Sequence, residues 1–345
     1  MAISNLQYFI LFATTFVVVG ALTPIVRQYA LSKNVVDAPN SAHKTHKEPV
    51  PYLGGVAIIL GIGLISFIAF AVKIHSIKDF WLITSVMVPA LVLGIIGLID
   101  DLKNLSAFPR FVAQTIAGIF TSAILIASET MGTPTSSRVI DAIVTTVWIV
   151  GICNSINFFD NLDGGAAGTV AVSSTALAYI AHTHNQYLVT ALATVTSGAM
   201  IGFLLWNRPP ARIYMGDAGA LFLGILIATL TIRLHPEAHT KWVSFATPVL
   251  LLAVPILDTS VAVLSRLRRG VSPFQGGRDH LSHRLMRAGM ERPLAAITLW
   301  VFSAFFAFIA VLISSLDSIM EQRVVGLAAI VWVALFAFFI RTQDA

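Results

Sequence analysis

The residues best suited to chemistry lie near the middle of the chain, where an apolar stretch of helix length ends in amides and carboxylates. Asn154, Asn157, Asp160 and Asp163 follow one another at intervals of three residues, and two glycines come next. On a helix this spacing places successive side chains about 60° apart, so the four cannot share one face. We therefore predict that the helix ends near Asn157 or Asp160 and that Asp163 lies on the following loop.

Two adjacent carboxylates, Asp100 and Asp101, end another apolar stretch. They repel each other, and the negative end of the helix dipole disfavours both charges. A cation must therefore offset them. Lys103 and Arg110 are the candidates within the chain, and a divalent metal ion is the external candidate. The alternative interpretation is a helix end stabilised by salt bridges, with no further role.

Asp217 stands between Gly216 and Gly219 at the predicted start of a helix. On its own it could simply cap that helix. Because other loops predicted on the same side of a membrane also carry carboxylates, a functional role for Asp217 is favoured. Asp258 follows Pro255 by three residues and precedes the next loop by about two helical turns. The sequence leaves the role of Asp258 open.

His280 and His283 are three residues apart on a predicted short helix, so their rings can face the same way. Neighbouring arginines, Arg278 among them, suit anionic oxygens, and phosphate is therefore the favoured ligand. Zinc is the weaker alternative, because no compact set of Cys and His partners accompanies the two histidines. The first predicted loop carries Lys44 and His46 among prolines. Its alternative role is that of a solvated basic loop in contact with lipid.

The composition is that of a polytopic membrane protein. Of the 345 residues, 57% are hydrophobic and 11% are charged, and the mean hydropathy is +0.83. Soluble domains have roughly 25% charged residues. The single cysteine, Cys153, excludes an intramolecular disulfide and is expected only to pack in an apolar stretch. We predict a single all-α membrane domain over residues 1–345.

Apolar segments of about 20 residues, the length that crosses a ~30 Å hydrocarbon core, recur about eleven times along the chain. The predicted spans are 5–26, 53–72, 81–99, 111–128, 139–157, 164–181, 187–206, 218–234, 243–265, 293–314 and 324–340.

The distribution of basic residues predicts the orientation. Of the 22 Lys and Arg residues, 16 fall on the loops after odd-numbered spans or on the C-terminal tail. The positive-inside rule then places the N-terminus outside and the C-terminus in the cytoplasm. All the polar clusters described above fall on the predicted cytoplasmic loops, at about 27–52, 100–110, 157–163, 207–217 and 266–292. The basic residues are dispersed and not interleaved with aromatic side chains, which argues against nucleic-acid binding.

The sequence contains no Ser-His-acid triad, dinucleotide-binding fingerprint or P-loop. Carboxylate oxygens favour Mg²⁺ or Mn²⁺ bridged to substrate phosphates, and phosphoryl transfer needs chiefly positioning and charge neutralisation. An apolar bundle with such loops at one face suits one lipid substrate and one soluble substrate. A secondary transporter is the alternative class of protein. Transporters place their acids near the membrane midplane, whereas here the acids line one face.

The polar motifs, in order from about residue 37 to 290, resemble those of the polyprenyl-phosphate N-acetylhexosamine-1-phosphate transferases. The motifs are His46-x-x-Pro49-x-Pro51-x-x-Gly54-Gly55, Asp100-Asp101 with Leu105-Ser106 and Arg110, Asn154-x-x-Asn157-x-x-Asp160-Asn-x-Asp163-Gly164, Gly216-Asp217-Ala-Gly219, Pro255-x-x-Asp258, and Ser272-Pro273-Phe274 through Arg278-x-His280-x-x-His283-Arg284. The resemblance implies transfer of a sugar 1-phosphate from a UDP-sugar to undecaprenyl phosphate, with release of UMP. It also implies dependence on Mg²⁺, for which Mn²⁺ could substitute, and an active site on the cytoplasmic face of the bacterial inner membrane.

The same resemblance implies roles for individual residues. Asp217 would be the principal Mg²⁺ ligand, and Asp100 or Asp101 would act at the lipid phosphate and the metal. Leu162 and Asp163 would meet the uracil, and Tyr214 would stack on it. His280 and His283 would lie near the diphosphate and would belong, with Asp100, Asp101 and Asp217, to the catalytic residues. Further substrate-binding positions are Asn157 and Asp160 on the nucleotide side, His46 in the first loop, and Lys44 and Arg278 near the diphosphate.

Three positions depart from common patterns of the family. Ser282 stands where many relatives have a third histidine, Gly165 replaces a frequent leucine, and Lys103 lacks the spacing of the phospho-MurNAc-pentapeptide translocases. N-acetylglucosamine is therefore the expected sugar, with another UDP-N-acetylhexosamine or the MurNAc-pentapeptide as the alternative donor. The expected partners are the UDP-sugar, undecaprenyl phosphate and membrane lipids, and the chain could form a homodimer.

Overall fold

The structure, a computed structural model, describes residues 3–37, 49–73, 77–273 and 276–342. It confirms the predicted all-α, polytopic membrane fold. The elements in the described part of the chain are α1 (Asn5–Ser32), β1 (Val36–Asp37), β2 (Val50–Pro51), α2 (Gly54–Lys73), α3 (Ile77–Lys103), α4 (Ala107–Ala127), α5 (Arg138–Phe159), α6 (Gly165–Thr183), α7 (Tyr187–Asn207), α8 (Gly216–Arg233), α9 (Lys241–Leu251), α10 (Ala253–Arg268), α11 (Leu281–Arg287), α12 (Arg292–Ile313) and α13 (Ser318–Arg341).

By length and hydropathy, the described residues form nine membrane-spanning helices, or ten if a bent pair counts as one span. This is fewer than the eleven predicted. The ninth predicted span, 243–265, is broken, because α9 and α10 meet at a bend of 76°. The sixth, 164–181, forms α6, whose many Gly, Ala, Ser and Thr residues make it less apolar than the other spans. Even so, α6 runs alongside α7, since Gly164 at its start donates its N–H to Asn207 at the end of α7.

The central element is α8, in which every residue from Ala218 to Arg233 is buried. A helix that is apolar on all sides needs packing partners on all sides, and α2, α3 and α5 are among its neighbours. Two glycines allow a close approach at its first turn. A Cβ atom on Gly97 of α3 would lie 2.3 Å from the carbonyl oxygen of Asp217, and one on Gly55 of α2 would lie 2.2 Å from the nitrogen of Gly219. The first turn of α8 is therefore held between two neighbouring backbones.

The bend between α9 and α10 leaves a backbone carbonyl without its helical partner. Pro255 has no N–H to donate to the carbonyl of Leu251, and the hydroxyl of Ser173 on α6 donates to that oxygen at 2.6 Å instead. Irregular backbone within a membrane domain is tolerated where protein groups satisfy it in this way. The hydroxyl of Ser173 therefore satisfies the carbonyl that the bend exposes. Beyond the bend, α10 carries the fully buried Asp258.

The first and fourth predicted loops are joined by main-chain hydrogen bonds. β1 and β2 pair antiparallel, with Val36 opposite Pro51. The carbonyl of Pro51 accepts the N–H of Tyr214 at 2.8 Å, and the carbonyl of Tyr214 accepts the N–H of Gly54 at 2.9 Å. The start of α2 is thereby fixed beside the segment that leads into α8.

Substitution of Gly97 by alanine should destabilise the protein, because the added methyl group would overlap the backbone of α8 at Asp217. Overpacking of this kind typically costs about 1–3 kcal/mol. The expected result is a lower apparent melting temperature of the detergent-solubilised Gly97→Ala variant. Gly63→Ala is the matched control, since a Cβ atom at Gly63 of α2 would meet nothing within 4 Å. Equal stability of the two variants would show that α3 and α8 do not need this close approach.

Candidate active site

The carboxylate of Asp217 is the point at which three predicted loops meet. Its Oδ1 accepts a hydrogen bond from Nδ2 of Asn157, at the end of α5, at 2.5 Å. Its Oδ2 accepts from Nη1 of Arg110, near the start of α4, at 2.9 Å. The backbone N–H of Asp217 donates to Oδ1 of Asp101, at the end of α3, at 2.8 Å. The side chain is 30% exposed, so it is accessible from outside the bundle.

Asp101 caps the start of α8. Its two carboxylate oxygens accept the N–H groups of Asp217 at 2.8 Å and of Ala218 at 3.0 Å. Gly216 makes the turn into the helix with φ +69°, in the left-handed region that favours glycine. Such N–H groups have no partner within the helix, and the positive end of the helix dipole favours a carboxylate there. The metal-binding role that the resemblance implies for Asp101 stays a prediction.

Asp100 contacts Arg110 instead. Its Oδ2 lies 2.6 Å from Nη1 of Arg110, the same nitrogen that lies 2.9 Å from Oδ2 of Asp217. Its Oδ1 accepts the N–H of Leu105 at 2.6 Å. Of the two cations considered from the sequence, Arg110 is therefore the one that forms ion pairs with the acidic cluster.

The donor atoms of Asp100 and Asp217 fit a hard divalent cation. Oxygens of both carboxylates converge on one position, which the guanidinium nitrogen of Arg110 occupies. Among the described residues, no group of three or more His, Cys, Asp or Glu side chains is arranged to hold a metal ion. Mg²⁺ commonly takes one or two carboxylates and completes its coordination with water and substrate phosphates. The arrangement is therefore compatible with Mg²⁺ and unlike a closed structural zinc site.

The end of α5 agrees with the prediction from sequence. The helix ends at Phe159, Asp160 is its C-cap, and Asp163 lies in the turn before α6. The side chains also diverge, as their spacing predicted. Asn154 donates to Oε1 of Gln114 on α4 at 2.6 Å, whereas Asn157 binds Asp217. Asn154 therefore links two helices, and Asn157 is the amide that reaches the site.

Asp163 and Tyr214 form a second part of the cleft. The buried Asp163 accepts the N–H of Ala211 through Oδ2 at 3.0 Å, and the same oxygen lies 3.9 Å from Nη1 of Arg292. Burial raises the pKa of the Tyr214 phenol, the charge of Asp163 raises it further, and the charge of Arg292 opposes the shift. These three side chains therefore share one electrostatic environment.

The carboxyl group of Asp160 responds to charges in both parts of the site. Burial raises the pKa of its carboxyl group to about 7, and the charges of Asp217 and then Asp163 contribute further. Asp160 consequently gains or loses its proton near neutral pH, unlike an ordinary aspartate.

The fifth predicted loop contributes α11 and its two histidines. His280, the residue before α11, has Nδ1 2.7 Å from Oδ2 of Asp258 and Nε2 3.1 Å from Nη2 of Arg266. The ring centroids of His280 and His283 are 6.3 Å apart, so the two imidazoles are neighbours, as their spacing allows. Burial lowers the pKa of His283 to about 4, and the proximity of His280 and Arg278 lowers it further. His283 is therefore a neutral imidazole at neutral pH.

The other predicted site residues lie farther from Asp217 in the network of contacts, or they lie outside the residues that the structure describes. Leu162 is buried, and its carbonyl accepts the N–H of Gly165 at 2.9 Å. Arg278 is exposed, and its carbonyl accepts from Nη1 of Arg287 at 3.1 Å. Lys44 and His46 lie outside the described residues. The substrate contacts expected of these residues stay predictions.

Two residues of this region were not assigned a role from the sequence. Asn161 accepts a short hydrogen bond from the hydroxyl of Ser282, which ties the turn after α5 to α11. In the sequence, only the position of Asn161 within the polar run of the third loop pointed to a role in the site. Arg292 stands at the start of α12, beyond the last motif, and no sequence pattern pointed to its proximity to Asp163.

Comparison with known proteins extends the similarity over nearly the whole chain. Residues 83–235 match glycosyl transferase family 4. The chain is 29% identical over 334 residues to the "Probable undecaprenyl-phosphate N-acetylglucosaminyl 1-phosphate transferase" of Bacillus subtilis, which covers 95% of this chain and 87% of the relative. It is 30% identical over 319 residues to the decaprenyl-phosphate N-acetylglucosaminephosphotransferase of Mycobacterium tuberculosis, covering 84% and 78% of the two chains. It is 29% identical over 280 residues to the phospho-N-acetylmuramoyl-pentapeptide-transferase of Streptococcus equi subsp. zooepidemicus, covering 76% and 80%. The resemblance inferred from the motifs is confirmed.

The raised pKa of Asp160 predicts a pH-dependent stability difference between the wild type and Asp160→Asn. Between the ordinary pKa of an aspartate and about 7, the folded wild type binds a proton that the unfolded chain releases. Its stability therefore falls as pH rises through this window. The asparagine side chain of the variant has no such proton, so the variant does not lose stability in this way. The difference between the apparent melting temperatures of Asp160→Asn and wild type should therefore increase by at least about 2 °C from pH 5 to pH 8. The measurement is made in EDTA, and a constant difference would contradict the assigned shift.

Proposed function

The chain belongs to glycosyl transferase family 4, and from this premise we propose that it transfers N-acetylglucosamine 1-phosphate from UDP-N-acetylglucosamine to undecaprenyl phosphate, with release of UMP. The convergence of Asp100, Arg110 and Asp217 at the helix ends of a membrane bundle carries the proposal. A charged site at the edge of apolar helices can receive a lipid phosphate from the membrane and a nucleotide sugar from water.

The orientation of the chain is part of the proposal. The excess of Lys and Arg on the loops that carry the site supports a cytoplasmic location under the positive-inside rule. The donor would then reach the site from the cytoplasm. Because the relatives come from bacteria, we propose the bacterial cytoplasmic (inner) membrane as the location.

We propose Mg²⁺ as the cofactor, with Mn²⁺ as a substitute, held by Asp217 and by a carboxylate of the acidic pair at the end of α3. Of that pair, Asp100 has the more suitable geometry, because Asp101 accepts backbone N–H groups with both oxygens. When bound, the ion would neutralise charge on the diphosphate of the donor.

In the proposed reaction, an oxygen of undecaprenyl phosphate attacks the sugar-bearing phosphorus of the donor. A P–O bond to the lipid phosphate forms, the P–O bond to the uridine-bearing phosphate breaks, and UMP leaves with the bonding electron pair. Asp100 orients the lipid phosphate or accepts its proton, and Arg110 lies close enough to Asp100 to hold that phosphate's charge. A phosphosugar adduct on Asp100 or Asp101, trapped in a single turnover, would replace this direct transfer by a two-step route.

The nucleotide would occupy the side of the cleft formed by Asp163 and Tyr214. Tyr214 offers an aromatic face, and Asp163 offers a carboxylate for the N–H of a base. Leu162 supplies apolar surface at the same turn. The diphosphate would pass near Asn157, which binds Asp217, and near Asp160, which responds to the charges of both Asp217 and Asp163.

The proposal is tested by measuring UMP release from a panel of donors with purified protein in detergent. UDP-N-acetylglucosamine, UDP-N-acetylgalactosamine and UDP-MurNAc-pentapeptide are each supplied with undecaprenyl phosphate and Mg²⁺, and the lipid product is extracted. UDP-N-acetylglucosamine should give the highest rate, and EDTA should abolish it. Preference for another donor would change the assigned sugar, and the absence of a lipid product with every donor would refute the proposed function.

Asp217→Asn should lower Mg²⁺-dependent turnover by about 100-fold or more, since removal of one group that stabilises the transition state typically costs this much. Asp317→Asn is the matched control. Asp317 caps α13, far along the chain from the site motifs, and asparagine is an equally good N-cap. The control should keep wild-type activity, and both variants should elute as folded protein in size-exclusion chromatography. Activity of Asp217→Asn near that of the control would remove Asp217 from the metal site.

A further inference from the structure

His280 is attached to the protein through both of its ring nitrogens. Asp258, fully buried on α10, accepts from the ring at Nδ1 through Oδ2 at 2.7 Å. Its other oxygen, Oδ1, accepts the backbone N–H of Leu281 at 2.7 Å. One buried carboxylate therefore holds both the side chain of His280 and the first turn of α11.

The second ring contact of His280 fixes its tautomer. Nε2 lies 3.1 Å from Nη2 of Arg266, and a guanidinium group can only donate hydrogen bonds. Nε2 must therefore accept, so the proton of the neutral ring resides on Nδ1 and is donated to Asp258. This leaves neither nitrogen of His280 available for a substrate phosphate.

Arg266 is itself held rigidly. Its Nε donates to Oδ2 of Asp279 at 2.9 Å and its Nη1 donates to the carbonyl of Pro273 at 2.7 Å. The guanidinium carbon also lies 5.4 Å from the ring centroid of Phe158. With 3% of its side chain exposed, Arg266 belongs to the interior of the fold and does not extend into the cleft.

The neighbours of His280 on α11 are also bound to the protein, with one exception. The hydroxyl of Ser282 donates to Asn161, and the guanidinium of Arg284 donates to the carbonyl of Phe339 on α13 at 2.8 Å. Both side chains are buried. His283 is only partly buried, and no hydrogen bond to its side chain occurs among the described residues. Of the two imidazoles, His283 is the one that remains able to bind a ligand.

We propose that Asp258 and His280 are positioning residues, which fix α11 so that His283, and not His280, presents its imidazole to the donor diphosphate. The proposal rests on the proposed function for the identity of the ligand. The resemblance implied that both histidines lie near the diphosphate, and the proposal assigns this contact to His283 alone. Asp258 also acquires the role that its sequence position alone did not reveal.

The first test compares His280→Asn with His280→Ala in the UMP-release assay. The amide nitrogen of asparagine can take the place of Nδ1 and donate to Asp258, whereas alanine leaves that buried carboxylate without its partner. We expect kcat/KM of His280→Asn to exceed that of His280→Ala by at least about tenfold, the effect of roughly one charge-assisted hydrogen bond. The pH profile of His280→Asn should match that of the wild type. Equal losses in the two variants, or disappearance of a limb of the pH profile in His280→Asn, would overturn the positioning role.

A second measurement does not depend on activity. In protein labelled with ¹⁵N-histidine, the spectrum should contain a ring whose neutral tautomer is protonated at Nδ1, and this signal should be absent from His280→Asn. Assignment of the neutral His280 ring as the Nε2-protonated tautomer would overturn the proposal. The spectrum decides the question if His280→Ala fails to fold. If the wild type yields no lipid product with any donor, the proposed function fails, and the spectrum still tests the geometry of His280.

Discussion

The hydrogen bonds between the carboxylate of Asp101 and the start of α8 are the interaction on which the rest of the site depends. α8 is buried from Ala218 to Arg233, so its first N–H groups need partners from within the protein. Asp101 binds two of them, and the dipole of α8 favours its negative charge. One of the two belongs to Asp217. The cap that stabilises the central helix therefore also fixes the backbone from which the central carboxylate of the site extends.

This arrangement explains why two adjacent acids are present at the end of α3. Successive side chains on a helix point about 100° apart, so Asp100 and Asp101 bind different groups. Asp101 faces α8, and Asp100 faces Arg110. Each of the two neighbouring carboxylates therefore has its own stabilising partner, a helix N-terminus for Asp101 and a guanidinium group for Asp100. One residue of the pair therefore caps the central helix, and the other forms an ion pair with Arg110.

The sequence predicted those features that depend on local composition. Hydropathy located the helices, and the polar run from Asn154 to Asp163 correctly located the end of α5. Hydropathy was less informative for α6, because small residues that pack closely are also less apolar than leucine or isoleucine. The bend before α10 was missed because Pro255 lies within a segment of continuous hydropathy, and its compensating partner, Ser173, comes from a distant helix.

Contacts between distant positions account for the rest of what was missed. Arg110 and Asp217 are 107 residues apart in the chain, and Asp258 and His280 are 22 apart. A single sequence shows the residue types at these positions but not which of them meet. The spacing of His280 and His283 correctly predicted that their rings lie together. It could not show that buried partners occupy both nitrogens of one ring, and that distinction determines which imidazole can meet a ligand.

The balance of charge around Asp217 gives a physical reason for the proposed metal ion. Among the described residues, Arg110 is the cation bonded to both Asp100 and Asp217. The charge of Asp217 also contributes to the raised pKa of Asp160. A diphosphate and a lipid phosphate would bring further negative charge to this acidic region, where Coulomb repulsion would oppose their binding. A divalent cation held by Asp217 and the acidic pair at the end of α3 would reduce the local negative charge, favour ionised Asp160 and attract the phosphates. Binding of the metal would then strengthen binding of the anionic substrates, and binding of the substrates would strengthen binding of the metal.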